Sequence, residues 1–176
     1  NHGDLLYNFS LLYFAFRNFD NALVYIDKAI KLSINNDIYK LLKSEIYIST
    51  LNIDAALHIL DDLKNNTRIK KDKGKEIRID ILLADAFLKK RNYEKAEILL
   101  LKLIKKYPGL ELAYLNLSII YNNKNQLSKS IQILNKGIKQ SPNFIPFYKN
   151  LASFYRNSGQ LELAIETNLF IISRNK

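Results

Sequence analysis

The sequence predicts an all-α protein of about five helix pairs stacked side by side. Three observations predict it. Glycine and proline are scarce, at 5 and 3 among 176 residues, which disfavours a turn-rich β fold. Apolar residues recur at helical spacing between short polar turns. The pattern also repeats: Pro108 and Pro142, Tyr114 and Tyr148, and Leu117 and Leu151 each stand 34 residues apart.

The period extends along the chain. Small or hydroxyl residues opening the apolar face of each second helix are Ala22, Ala56, Ala96, Ser130 and Ala164, at spacings of 34, 40, 34 and 34. Nine residues before each stands an aromatic: Tyr13, Tyr47, Phe87, Tyr121 and Tyr155. Three before each aromatic comes Ser10, Ser44, Ala84, Ser118 or Ala152, and seven after each anchor comes Ala29, Leu63, Leu103, Gly137 or Ile171. A small residue on one helix lets the other approach, and the aromatics act as core spacers. One pair cannot bury this much apolar surface alone, so neighbouring pairs must stack and share it.

The units fall at about 3–36, 37–70, 77–110, 111–144 and 145–176 of a single repeat domain. The third shows the logic in order. Ile77, Ile81, Ala84 and Leu88 make one helical face, Arg91 and Asn92 turn the chain, and Ala96, Leu100 and Leu103 resume the pattern. Pro108 stops the second helix, because proline lacks an amide hydrogen and clashes inside a helix. Asn18, Asn52, Asn125 and Gly159 are the expected turn residues of the other units. Six extra residues separate the second and third units, near 71–76. Gly74 marks a break there, with stacking expected to continue across an elongated connection. The other reading lengthens the preceding helix, with Ile69 as a late anchor.

Composition removes several functions. With no cysteine, disulfides, thiolate catalysis and cysteine zinc sites are excluded. The two histidines, His2 and His58, are far apart and lack a metal-binding motif. Asp61 and Asp62 are adjacent and diverge on a helix, so they do not face one cleft as an acid–base pair must. No catalytic residues, cofactor or metal are therefore expected. No apolar run reaches the roughly 18 residues of a membrane span. The opening NHGDLLYNFS has neither a basic region nor a cleavage pattern and no initiator Met, and it reads as a cut or processed start. A cytoplasmic setting is favoured.

The net charge is +10, with seven Lys or Arg in KNNTRIKKDKGKEIR. Lys70, Lys71, Lys73 and Lys75 form a candidate basic patch for an acidic partner. Nucleic acid is the lesser reading, since no base-reading module is present and the aromatics are committed to the core.

These residues resemble the tetratricopeptide repeat. Its opening signature is matched by Tyr114, Leu117, Ser118 and Tyr121, and by Tyr148, Leu151, Ala152 and Tyr155. Its later positions are matched by Ala22, Ile26 and Ala29 in the first unit, and by Ala96, Leu100 and Leu103 in the third. Lys40 and Lys43 depart from it at normally apolar positions of the second unit, where a related helical-hairpin repeat is the alternative.

The resemblance implies a right-handed superhelical solenoid of antiparallel pairs, with first helices lining the concave side. It also implies a protein-interaction scaffold holding a peptide or amphipathic helix in that groove. The alternative is a sensor or assembly domain of a larger regulator. The family pattern turns inward Leu41 and Glu45, Ile81 and Asp85, Leu115, Ile119 and Asn122, and Lys149 and Arg156. The last two would grip an acidic side chain. The Lys–Asn clamp by which some members hold chaperone tails is not matched, since Leu41 with Glu45 and Ile81 with Asp85 occupy its places. Leu169, Phe170, Ile171 and Ile172 crowd the last helix, which predicts self-association through it.

Overall fold

A computed structural model describes residues 2–66 and 71–174. Among them are ten helices and no strand. These are α1 (His2–Ala15), α2 (Phe19–Leu32), α3 (Asp37–Ser49), α4 (Ile53–Asn65), α5 (Lys73–Lys89), α6 (Tyr93–Lys106), α7 (Glu111–Asn123), α8 (Leu127–Gln140), α9 (Ile145–Asn157) and α10 (Leu161–Arg174). The chain forms two compact units, Asn1–Arg91 with α1 to α5 and Asn92–Lys176 with α6 to α10.

The turns inside the pairs are built on one plan. Arg17, Leu51, Arg91, Asn125 and Gly159 all have φ between +57° and +76°, at the same spacings of 34, 40, 34 and 34 as the repeat itself. Each is the left-handed residue that ends a helix. The amide of the following residue then reaches back to the carbonyl of the repeat's aromatic: Asn18 to Tyr13, Asn52 to Tyr47, Gln126 to Tyr121 and Gln160 to Tyr155, at 2.8–2.9 Å. That bond satisfies a carbonyl the helix end would leave bare. In the first two turns the strained residue is thus Arg17 or Leu51 and not the expected asparagine. Asn18 instead caps α2, its side chain accepting from the Asn21 amide at 3.3 Å, and Asn92 does the same for α6. Asn52 stands at the same capping position before α4.

The repeat's small residues sit where helices meet. Ala22, Ala56, Ala96 and Ser130 are fully buried, as are Ser10, Ser44, Ala84 and Ser118. Two hydroxyls find partners across the pair: Ser10 Oγ donates to the Ala22 carbonyl and Ser130 Oγ to the Ser118 carbonyl, both at 2.8 Å. A buried hydroxyl left without such a bond would cost about 1–3 kcal/mol. Serine at this register is therefore small enough for close approach and still satisfied.

The pairs stack in sequence order within each unit. In the first, Ala22, Ile26 and Ala29 of α2 share one cluster with Tyr39, Leu42 and Ile46 of α3. In the second, Tyr114 of α7 and Leu134 of α8 share one with Phe147, Leu151 and Phe154 of α9. Burying each Leu, Ile or Phe side chain of these clusters contributes about 1.5–3 kcal/mol. First helices also touch one another, α1 with α3, α3 with α5, and α7 with α9. Consecutive second helices of the same unit make no comparable contact among the described residues. First helices therefore line the inner face of each stack.

The connection between the second and third repeats departs from expectation. α4 ends at Asn65 and is not lengthened. Residues 73–76 form the first turn of α5, so Gly74 lies inside a helix and breaks nothing. Asp72 explains this: its side chain accepts from the Lys75 amide at 3.1 Å and starts the helix early. Ile69 lies outside the described residues.

Lys43, at a core register of α3, is accommodated by an acid. Its Nζ lies 2.7 Å from Asp27 Oδ1 of α2. Burial, the largest single influence, disfavours its charge, but the bond to Asp27 together with the charge of Asp27 and the nearby Tyr47 raises its pKa.

Candidate peptide-binding groove

The inner face of the first unit is carried by α3 and α5. On it, Arg78 Nε and Nη2 both donate to Glu45 Oε1, at 3.0 and 2.7 Å. Two consecutive first helices are thereby joined across the floor. Leu41 and Ile81 do not line an open surface: they are only 1% and 9% exposed and belong to the core. The helical face turned inward at those positions is covered by neighbouring helices, which a single-helix pattern does not reveal.

Asp85, on α5, is half-buried. Burial pushes its carboxyl pKa up, and the charge of Lys89 counters this only in part. A carboxylate partly stripped of water gains from an incoming cation more than an exposed one does. Lys89, one turn on, is exposed.

The second unit presents α7 and α9. Leu115, Ile119 and Asn122 on α7 are partly exposed, and Leu112 one turn earlier is exposed. Lys149 and Arg156 on α9 are both exposed and border one pocket of about 160 Å³. Ala152, Ser153, Ala164 and Asn168 complete it, so it lies at the junction of α9 and α10. The two cations expected to act together are thus on one site.

The candidate basic patch is less available. Lys70 lies outside the described residues. Lys71 and Lys73 are exposed. Lys75 is partly buried, with its Nζ 3.6 Å from Asp72 and 3.9 Å from Asp37. Nearby, Lys64 pairs with Asp80 at 2.7 Å.

Sequence reasoning missed two features. Glu97 of α6 accepts from Tyr121 Oη at 2.9 Å and from Lys124 Nζ at 2.8 Å, tying α6 to α7. An open cleft of about 610 Å³ also lies where α2 meets α3, bordered by Ile34, Asp37, Ile38 and Lys75. Exposed Leu32, Ile34 and Ile38 close together were the only signal for it.

Among the described residues, no group of His, Cys, Asp or Glu could hold a metal ion. No helix among them is long and apolar enough to cross a membrane.

Comparison with known proteins agrees with this architecture. Models described as tetratricopeptide repeat match residues 3–36 and 112–144, 81–109, and 133–166, together more than half of the chain. No curated protein matches in sequence. Among solved structures, a thermophilic TPR protein of Thermus thermophilus is similar with a TM-score of 0.80 at 14% identity, covering 98% of this chain and 91% of that one. PilF of Pseudomonas aeruginosa gives 0.71 at 13%, covering 98% and 76%. MamA of Desulfovibrio magneticus gives 0.66 at 17%, covering 99% and 96%. At these identities the likeness is one of fold. On its repeats, turns and model matches, the chain belongs to the tetratricopeptide repeat family, a non-catalytic fold whose general role is to scaffold protein–protein interaction.

Proposed function

We propose that the chain binds an amphipathic helix or extended peptide on the inner face of its first helices, with an acidic guest residue held by Lys149 and Arg156. One observation carries this reading. In the second unit, partly exposed Leu115 and Ile119 and exposed Leu112 lie on α7, and exposed Lys149 and Arg156 share a pocket on the α9 helix it touches. Apolar anchors with a charged margin are what a groove needs to fix a helix in one register. In the first unit, Asp85 is the group offered to a basic guest residue, and the Glu45–Arg78 pair stiffens the floor beneath it.

Nucleic acid is not the proposed guest. Lys64 and Lys75, in the basic stretch, are engaged by carboxylates of the same unit. A cytoplasmic setting remains part of the proposal.

The test is affinity capture with this chain, repeated after Lys149→Glu and Arg156→Glu together. Loss of the captured protein is expected, because both substitutions place like charge against the guest acid. Capture of the same partners at unchanged yield would refute the assignment. Retained capture by duplex DNA at low salt, falling steeply as salt rises, would instead mark phosphate binding.

A further inference from the structure

The second helices form the outer side of the second unit, and two of them carry the same cationic stripe. Lys95, Lys102 and Lys105 stand on α6, and Lys129, Lys136 and Lys139 stand 34 residues later on α8, all exposed. Spacings of seven and three put the three lysines of each helix on one side. The repeat does not require them, since the same register of α10 holds Leu163, Phe170 and Ser173. Exposure to water does not require them either, since α4 meets it with Asp61 and Asp62. Few acids answer the stripe. α8 has no acidic residue, and Glu97 of α6 is engaged by Tyr121 and Lys124 of α7, which leaves Glu94 as the exposed acid of α6. Among the described residues, Lys102, Lys105, Lys136 and Lys139 form no ion pair with a carboxylate. Beside the α6 lysines, Ile98 and Leu101 are 67% and 44% exposed.

We propose that this outer face docks on an anionic lipid bilayer. Both helices pack on α7, so their lysine rows lie at most about 20 Å apart, two helix-packing distances. Each row runs about 15 Å, ten residues at the helical rise. Charge spread over such an area matches a partner that is anionic in two dimensions. An acidic peptide or a nucleic-acid strand would follow one row and leave the other unanswered. Ile98 and Leu101 point to the same partner, because exposed apolar side chains among lysines enter the boundary beneath lipid headgroups, and a water-soluble polyanion gains nothing from them. The residue type agrees. Neither helix contains arginine, the residue of fixed bidentate phosphate recognition. Lysine sets a mobile point charge on an apolar stem, which suits headgroups that have no fixed positions. The groove of this unit lies on the other face, so docking leaves it open to a guest.

The experiment is co-sedimentation of the chain with vesicles, one set of phosphatidylcholine alone and one of phosphatidylcholine and phosphatidylserine in equal parts. Binding is expected to the mixed vesicles only, weakening as salt rises. A lysine near an anionic surface raises affinity about fivefold. Lys102→Gln with Lys105→Gln, and Lys136→Gln with Lys139→Gln, should therefore each lower it about 25-fold, and all four together by several hundredfold. Lys28→Gln with Lys31→Gln removes the same charge from exposed positions of α2 in the other unit, and should lower it by about twofold or less. Every replaced side chain is exposed, and unchanged helical circular dichroism checks the fold. Mixed vesicles left unbound at low salt would overturn the proposal. So would an equal loss from the α2 variant, which would mean that net charge alone is read. Duplex DNA bound through the same lysines, with mixed vesicles unbound, would overturn it in favour of a nucleic-acid backbone.

Discussion

Gly137→Ala puts the packing argument to a direct test. Glycine inside α8 is unfavourable in itself, and alanine there would gain about 1 kcal/mol of helix propensity. The tertiary structure opposes the gain. A Cβ at 137 would stand 2.5 Å from Phe147 Cζ and 2.9 and 3.0 Å from two further ring carbons. Carbon atoms rest at about 3.5–4.0 Å, so the ring would have to retreat by about 1 Å. It has nowhere to go: Phe147 is fully buried, with Phe144 at 5.0 Å and Tyr114 at 6.3 Å between ring centroids. Overpacking of a well-filled core costs about 1–3 kcal/mol, and three such contacts on an immobile ring belong in the upper part of that range. The expected net effect is a loss of about 1–2 kcal/mol, taking the propensity gain into account.

Urea unfolding followed by circular dichroism measures it. Gly109→Ala is the control, since a Cβ there meets nothing within 4 Å. Phe147→Leu shortens the offending ring, so the double variant should lose less than the sum of the singles, by about 1 kcal/mol. A Gly137→Ala protein more stable than its parent by the full propensity gain would refute the reasoning.

Two further outcomes follow from the same structure. Leu51 is left-handed at φ +60° with its side chain exposed, a conformation that costs an L-residue about 1–2 kcal/mol. Leu51→Gly should therefore stabilise by about 0.5–1 kcal/mol after the added freedom of the unfolded chain, and Gly159→Ala, at the same register, should destabilise by about as much; urea midpoints moving in the opposite directions would contradict this. The Tyr39 hydroxyl is pushed up to about 12, first by its hydrogen bond to Asp4 and then by burial. A phenol whose folded pKa is raised contributes stability that is complete below its unfolded value of about 10 and is lost as pH rises toward the folded value. Tyr39→Phe should remove part of the alkaline loss of stability between those limits, and an unchanged slope would sink the assignment.

Most of the fold was legible because close helix approach demands a small residue at a fixed register. Ala22, Ala56, Ala96, Ser130 and Ala164 recur in the sequence for that reason, and all are buried. The turns were half legible. Asparagine and glycine signalled their places, but a repeated turn can force Arg17 and Leu51 into the left-handed region when the stacked helices on either side fix the geometry. Asp72 outweighed Gly74 because a side-chain cap at a helix start satisfies amides that glycine's flexibility does not. The candidate site was less legible. Lys149 and Arg156 share one helix, so their spacing alone placed them on one side. Leu41 and Ile81 were misjudged because what covers a helix face is set by the neighbouring helices.

The sequence by itself determined the helix pairs, their period and the small residues at their crossings, since these follow from local periodicity and side-chain size. Only the tertiary structure decided that Arg78 meets Glu45 and that Lys43 is answered by Asp27. Those facts depend on how far one pair is offset along the next, and the offset comes from side chains interlocking between helices distant in the chain.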